Sequence, residues 1–136
     1  MKAKISTPVI LLAGMLMAFD GCKKYPEGAA LGMHSGTEKI ASTWKLDKYT
    51  VNGTDYTSLV TGYTETYTKD GNFSYSFGSI AGTGNWSFQH NDSEVRILGT
   101  NNQSDNVLTV LKLNEKEFWY YCMDGKDKKE FHMTAE

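Results

Sequence analysis

"YTETYTKDGNFSYSF", residues 63–77, decides the fold. Tyr63, Glu65 and Tyr67 alternate with threonines, and Phe73, Tyr75 and Phe77 alternate with serines. A period of two belongs to a strand with one buried and one wet face. Asp70-Gly71 sits between the two runs, where a hairpin needs residues that tolerate positive φ. The segment therefore predicts two antiparallel strands joined by a tight turn.

The pattern continues outward in both directions. Upstream, "STWKLDKYTV" places Trp44 and Leu46 on one face, with Tyr49 and Val51 on the other after an irregularity. Asn52-Gly53 predicts a turn. "DYTSLV" fits either a strand or a short helical cap with Asp55 near its start. Downstream, "GSIAGTG" predicts a flexible loop, and "NWSFQH" puts Trp86, Phe88 and His90 together. "VRIL" pairs Val95 with Ile97, "GTNNQSDN" predicts a polar loop, and "VLTVLKL" is apolar on both faces in its first half. "FWYYCM" sends Phe118, Tyr120 and Cys122 one way and Trp119, Tyr121 and Met123 the other, before "DGKDKK" turns into "EFHMT".

Seven or eight strands follow one another with hairpin-like links, and no helix of ordinary length interrupts them. Such a meander buries its apolar faces by closing on itself or by folding into two layers. Closure also removes bare sheet edges. The expected fold is all-β: a small antiparallel up-and-down barrel of about eight strands, with a flattened β-sandwich as the second choice. The expected core is Trp44, Leu46, Phe73, Tyr75, Phe77, Trp86, Phe88, Ile97, Leu111, Leu113 and Phe118.

The first residues have a different character. Lys2 and Lys4 precede "PVILLAGMLMAF", twelve nearly all apolar residues. A helix of that length reaches about 18 Å, short of a bilayer core of roughly 30 Å. A positive start before a short apolar run is the pattern of a secretory signal. The run ends in "DGC". A glycine directly before a cysteine, close behind an apolar segment, resembles a bacterial lipoprotein signal, although Asp20 and Phe19 depart from the usual neighbours. The resemblance implies cleavage before Cys22, acylation of its thiol and amino group, and a bilayer as partner. One acyl chain holds marginally and two hold stably. Lys23 stands where aspartate would mark inner-membrane retention, so the expected address is the outer membrane of the cell envelope. The domain reading is a signal peptide over 1–21, a flexible tether over 22–40 and the barrel over 41–136.

"TWKLDKYTVNG", "YTETYTKDGNFSYSF", "GTGNWSF" and "VLTVLKLNEKEFWYY", in that order, resemble the lipocalin-like domain of Bacteroidetes-type lipoproteins. Trp44 on the first strand and Gly84-Asn85-Trp86 at mid-chain carry the likeness. The resemblance implies a barrel and a ligand cavity, and names no ligand. The strand region is shorter than in true lipocalins.

Formal net charge is −2, from 14 basic and 16 acidic residues, which lacks the basic excess of a nucleic-acid binder. Two cysteines do not make a disulfide scaffold. If Cys22 is acylated, Cys122 is left as a lone thiol, expected to be buried and inert; if not, a disulfide between them is open. His34 falls in the tether, and neither His90 nor His132 lies in a nucleophile motif. No metal-binding, phosphate-cradling or catalytic spacing is present, so no enzyme activity, cofactor or metal is expected. The candidate ligand set is Tyr63, Glu65, Tyr67, Tyr75, Trp86, His90 and Arg96. An inward Glu65 is costly unless paired, and tyrosine hydroxyls or Arg96, the sole arginine, could pair with it. Two functions fit: binding a small apolar or amphiphilic ligand in a cavity above about 300 Å³, or contacting an envelope protein through loops and outward aromatics around a solid core. Inhibition of an envelope-directed enzyme belongs to the second.

Overall fold

The computed structural model describes residues 25–26 and 35–136. The expected signal, Cys22 and His34 lie outside the described residues. A short helix, α1 (Gly36–Ile40), precedes nine strands: β1 (Thr43–Val51), β2 (Thr54–Asp55), β3 (Thr64–Tyr67), β4 (Asn72–Phe77), β5 (Ile80–Gln89), β6 (Glu94–Asn101), β7 (Asn106–Leu113), β8 (Glu117–Asp124) and β9 (Asp127–Ala135). A 3₁₀ turn covers Thr57–Val60. Its entry is fixed by Asp55, whose carboxylate accepts from the Thr57 amide at 2.8 Å and hydroxyl at 2.6 Å.

All pairings are antiparallel between neighbours, in the order β2-β1-β3-β4-β5-β6-β7-β8-β9, and β1 also pairs with β9. That last pairing runs from Trp44↔Ala135 to Val51↔Lys129 and closes the sheet. The result is an eight-stranded up-and-down barrel, lipocalin-like in build, with β2 as a two-residue spur on the end of β1. Closure excludes the sandwich.

The turns behave as their residues require. Asn52 (φ 50°) and Gly53 (φ 83°) both take the left-handed conformation that lets a two-residue turn follow the strand twist. Asp70-Gly71 turns β3 into β4. The chain departs from expectation where the barrel imposes bulges or longer strands. Residues 78–84 are not a loop: only Gly78 and Ser79 turn, and β5 begins at Ile80. Likewise β6 runs on to Asn101, leaving a loop of 102–105. A register shift between Leu46 and Lys48 brings Tyr49 back to the same inner face as Trp44, where its ring lies 4.8 Å from Phe131. A second shift between Val110 and Lys112 makes Leu111 the extra residue, so Leu108, Val110 and Leu113 fill the core and Leu111 is only half-buried.

One end of the barrel is a packed floor. Ile40, Trp44, Val95, Leu113, Phe118 and Met133 are all completely buried. The Trp44 indole donates to the Ile40 carbonyl at 2.8 Å, which ties α1 beneath the strands. Trp86 sits nearby and donates to the Thr68 carbonyl at 2.8 Å. Tyr25 is also buried, with Asp92 of the β5–β6 turn close enough to help raise its hydroxyl pKa to about 12, burial being the larger cause. Within the expected tether, Gly36–Ile40 is helix and Ile40 is buried.

Candidate functional site

Strand parity decides where the polar groups go. β3 alternates half-buried and buried positions, with Glu65 and Tyr67 turned inward above the floor. Tyr63 precedes the strand and its side chain reaches the same space. Glu65 is 2 % exposed. One carboxylate oxygen, Oε1, accepts from the Tyr63 hydroxyl at 2.8 Å and from the Tyr120 hydroxyl. The other, Oε2, accepts from Tyr67 at 2.6 Å. Among the described residues no basic side chain pairs with it.

Two effects compete at this carboxyl. Removing a carboxylate from water costs several kcal/mol, while each hydrogen bond to a charged group returns about 1.5–3 kcal/mol. Burial wins: the Glu65 pKa is raised, with the hydrogen bonds from Tyr120, Tyr67 and Tyr63 pulling the other way. The tyrosines respond in kind. Burial first, and the Glu65 charge second, push the hydroxyls of Tyr63, Tyr67 and Tyr120 well up, so they stay neutral donors.

A cavity of about 70 Å³ lies against this cluster, walled by Tyr63, Tyr67, Tyr120 and Phe131 among others and closed above by Gln103. That is far less than the 300 Å³ expected of a ligand chamber, so the interior is mostly filled. The cavity is not sealed, however. It shares Asn106 and Cys122 with two open clefts of about 330 and 580 Å³ on the barrel wall. The cause is the strand pairing. β7 starts at Asn106 and β8 runs to Asp124, yet their register ends at Thr109↔Tyr121. The seam between them is unpaired towards the mouth.

The loop over 102–105 lies across this end. Asn102 donates to the Ala81 carbonyl at 2.9 Å and its own carbonyl accepts from the Tyr75 hydroxyl at 2.8 Å. Asp105 accepts from the Gly99 amide at 2.9 Å. A Cβ on Gly99 would collide with the Gln103 backbone, so the loop can sit this close only over a glycine.

Of the expected ligand set, the structure brings together Tyr63, Glu65 and Tyr67, with Tyr75 stacked on Tyr63 at 6.0 Å between ring centres. Trp86 belongs to the floor and touches the cluster only edge-on through Tyr67, at 5.9 Å. His90 does not share the inner face: it sits in the β5–β6 turn at φ 51°, largely exposed and 3.5 Å from Glu94. Arg96 points outward between inward Val95 and Ile97, so it lines the 580 Å³ cleft and does not pair with Glu65. The tyrosine hydroxyls do. The reading missed Tyr120, although its parity with Phe118 and Cys122 already turned it inward. It missed Gln103 and Asn106 because both sat in an expected loop. Cys122 is a buried free thiol, its pKa raised chiefly by burial. Among the described residues no cluster could hold a metal ion.

The chain matches no family model, and no curated protein matches it.

Proposed function

We propose that this chain is a lipid-anchored envelope protein of the lipocalin-like kind whose barrel binds a small amphiphilic molecule, without catalysing a reaction. The observation that carries the binding reading is Glu65: a carboxylate buried without a counter-ion beside a cavity that opens to the surface. A solid structural core gains nothing from such a group, because apolar residues of similar volume are as stable or more so. Binding sites, in contrast, combine apolar walls with a few polar groups. The small enclosed volume supports partial enclosure, with the polar end inside and the rest in the open clefts.

The anchor reading rests on the "DGC" stretch ending at Cys22. Tyr25 is held at the floor beside the β5–β6 turn, and three residues span at most about 11 Å. A lipid on Cys22 would then hold the floor towards an outer-membrane leaflet and the mouth away from it. Native mass spectrometry of the protein from its own cells tests both halves. The expected mass begins at an acylated Cys22 and includes a small retained molecule. An intact 1–21 segment would remove the anchor, and a bare mass in every preparation would count against the ligand.

A second reading has its own observation. On the outer wall Trp119 stacks flat on His132 at 3.9 Å, with the Lys112 ammonium 4.3 Å from the ring centre. An outward aromatic of this kind suits contact with an envelope protein. This reading takes over if the native mass shows a bound protein whose binding is lost in Trp119→Ser.

A further inference from the structure

The head group that fits this barrel has a sign. Amphiphiles come with anionic, neutral or cationic heads, and the interior discriminates among them. Among the described residues Glu65 is the only charged side chain lining the cavity, and Arg96, which could have balanced it, faces outward. Lys112 is held on the outer wall by Glu117 at 3.0 Å, and Lys129, which borders the 330 Å³ cleft beside Cys122 and Phe131, is turned to Asp124 at 2.7 Å. An anionic head would meet an uncompensated carboxylate. A neutral head would leave the carboxylate as it is. A cationic head would supply the counter-ion the fold omits.

The walls agree. Tyr63, Tyr67, Tyr120 and Phe131 line the 70 Å³ space, and aromatic rings attract ammonium groups, more strongly when water is excluded. The volume suits a head group and excludes a chain. A chain can leave through the unpaired β7–β8 seam past Asn106 and Cys122, where the cavity meets the open clefts. There Val107 (42 % exposed) and Met123 (54 % exposed) leave apolar surface in the open.

We propose that Glu65 and the surrounding aromatic rings form the head-group site for an organic ammonium whose single alkyl chain leaves the barrel between β7 and β8. This deepens the binding reading above and rests on it. Binding needs no covalent step: the three tyrosine hydroxyls hold the carboxylate in place and the ammonium completes its charge.

Isothermal titration of the intact chain at neutral pH with octylamine, octanol and octanoate decides the matter, since these probes share a chain and differ in head. Octylamine is protonated there, as a lysine side chain is. It is expected to bind about tenfold more tightly than octanol, the equivalent of roughly one desolvated cation–aromatic contact, with octanoate weakest. Glu65→Gln should bring octylamine down to the octanol level and leave octanol unchanged, which also separates site binding from partition into any attached lipid. Butylamine should bind more weakly than octylamine; equal affinity overturns the exit route. If octanol or octanoate matches octylamine, the ammonium site is wrong while the binding reading stands. If none of the probes binds, both fall. Should Glu65→Gln not fold, the head-group series on the unaltered protein still decides.

Discussion

The two ends of the barrel are built from the same kinds of residue to opposite purposes. At the floor, Trp44 meets Phe118 edge-on at 5.7 Å, Phe118 meets Tyr67 at 5.6 Å, and α1 closes the base through Ile40. No water reaches these side chains. At the mouth, Tyr63, Tyr75 and Phe131 are only half-buried, a cavity is left open, and one strand seam is unpaired. The floor carries the cooperative stability of a small domain. That lets the mouth keep a buried carboxylate and a gap in its sheet, both of which a marginal fold would otherwise not tolerate.

The sharpest way to break this contrast is to truncate an aromatic at each end. Trp44→Ala removes a completely buried indole and its hydrogen bond to Ile40, and should cost about 3–5 kcal/mol, the usual range for a large aromatic lost from a core. Tyr49→Ala, near the mouth, should cost clearly less in the same urea titration. Equal losses would mean that the mouth is as tightly packed as the floor. Gly99→Ala comes next. The new methyl meets the Gln103 backbone, which must move, at about 1–3 kcal/mol for an overpacked contact. The loop over 102–105 should shift while tryptophan fluorescence from the floor stays native. A changed floor signal would show that the two ends are coupled.

How far these ends could be read from the sequence differs too. The floor was legible because Phe73, Trp86, Ile97 and Phe118 fall on clean alternations, and alternation needs no knowledge of which strand neighbours which. Glu65 was legible for the same reason: Tyr63, Glu65 and Tyr67 share a parity. Its third partner was not, because Tyr120 lies 55 residues away and reaches Glu65 only once the barrel closes. Closure also places the bulge at Leu111, which no local pattern marks, whereas the irregularity between Leu46 and Tyr49 was legible and only the face on which Tyr49 lands was not. The outward turn of Arg96, by contrast, was already implied by inward Val95 and Ile97.

Glu65 tests the contrast through pH. Burial holds its folded pKa above the ordinary 4.5. Between those two values the folded chain keeps a proton that the unfolded chain gives up, so stability falls as pH rises through that window. The contribution is complete below the ordinary carboxyl range and lost towards the folded pKa. Glu65→Gln has no such proton. Urea midpoints measured from about pH 4 to 8 should therefore show the variant gaining on the unaltered protein as pH rises. A gain by the unaltered protein instead would mean that the three tyrosine hydroxyls outweigh burial. Trp44→Ala should keep the full pH slope, since it leaves Glu65 and its hydroxyl donors in place.

The smallest change probes the mouth alone. Tyr75→Phe deletes one hydroxyl and with it the 2.8 Å hydrogen bond to the Asn102 carbonyl. The ring remains over Tyr63, so packing is nearly unaltered, and the cost should be about 0.5–1.5 kcal/mol, that of one hydrogen bond. The loop is then held by Asn102 on Ala81 and by Asp105 on the Gly99 amide. Hydrogen exchange reads the consequence residue by residue. The Gly99 amide should exchange faster in the variant, because the carboxylate that protects it rides on the loosened loop. The Tyr67 amide, bonded to the Ser42 carbonyl at 3.0 Å beneath the floor, should not change beyond the small global loss. If both amides speed up equally, the loop opens only when the whole barrel unfolds, and the mouth has no freedom of its own to admit a ligand. If Gly99 alone speeds up, the loop is a local unit poised over the cavity, moving against a floor that stays closed.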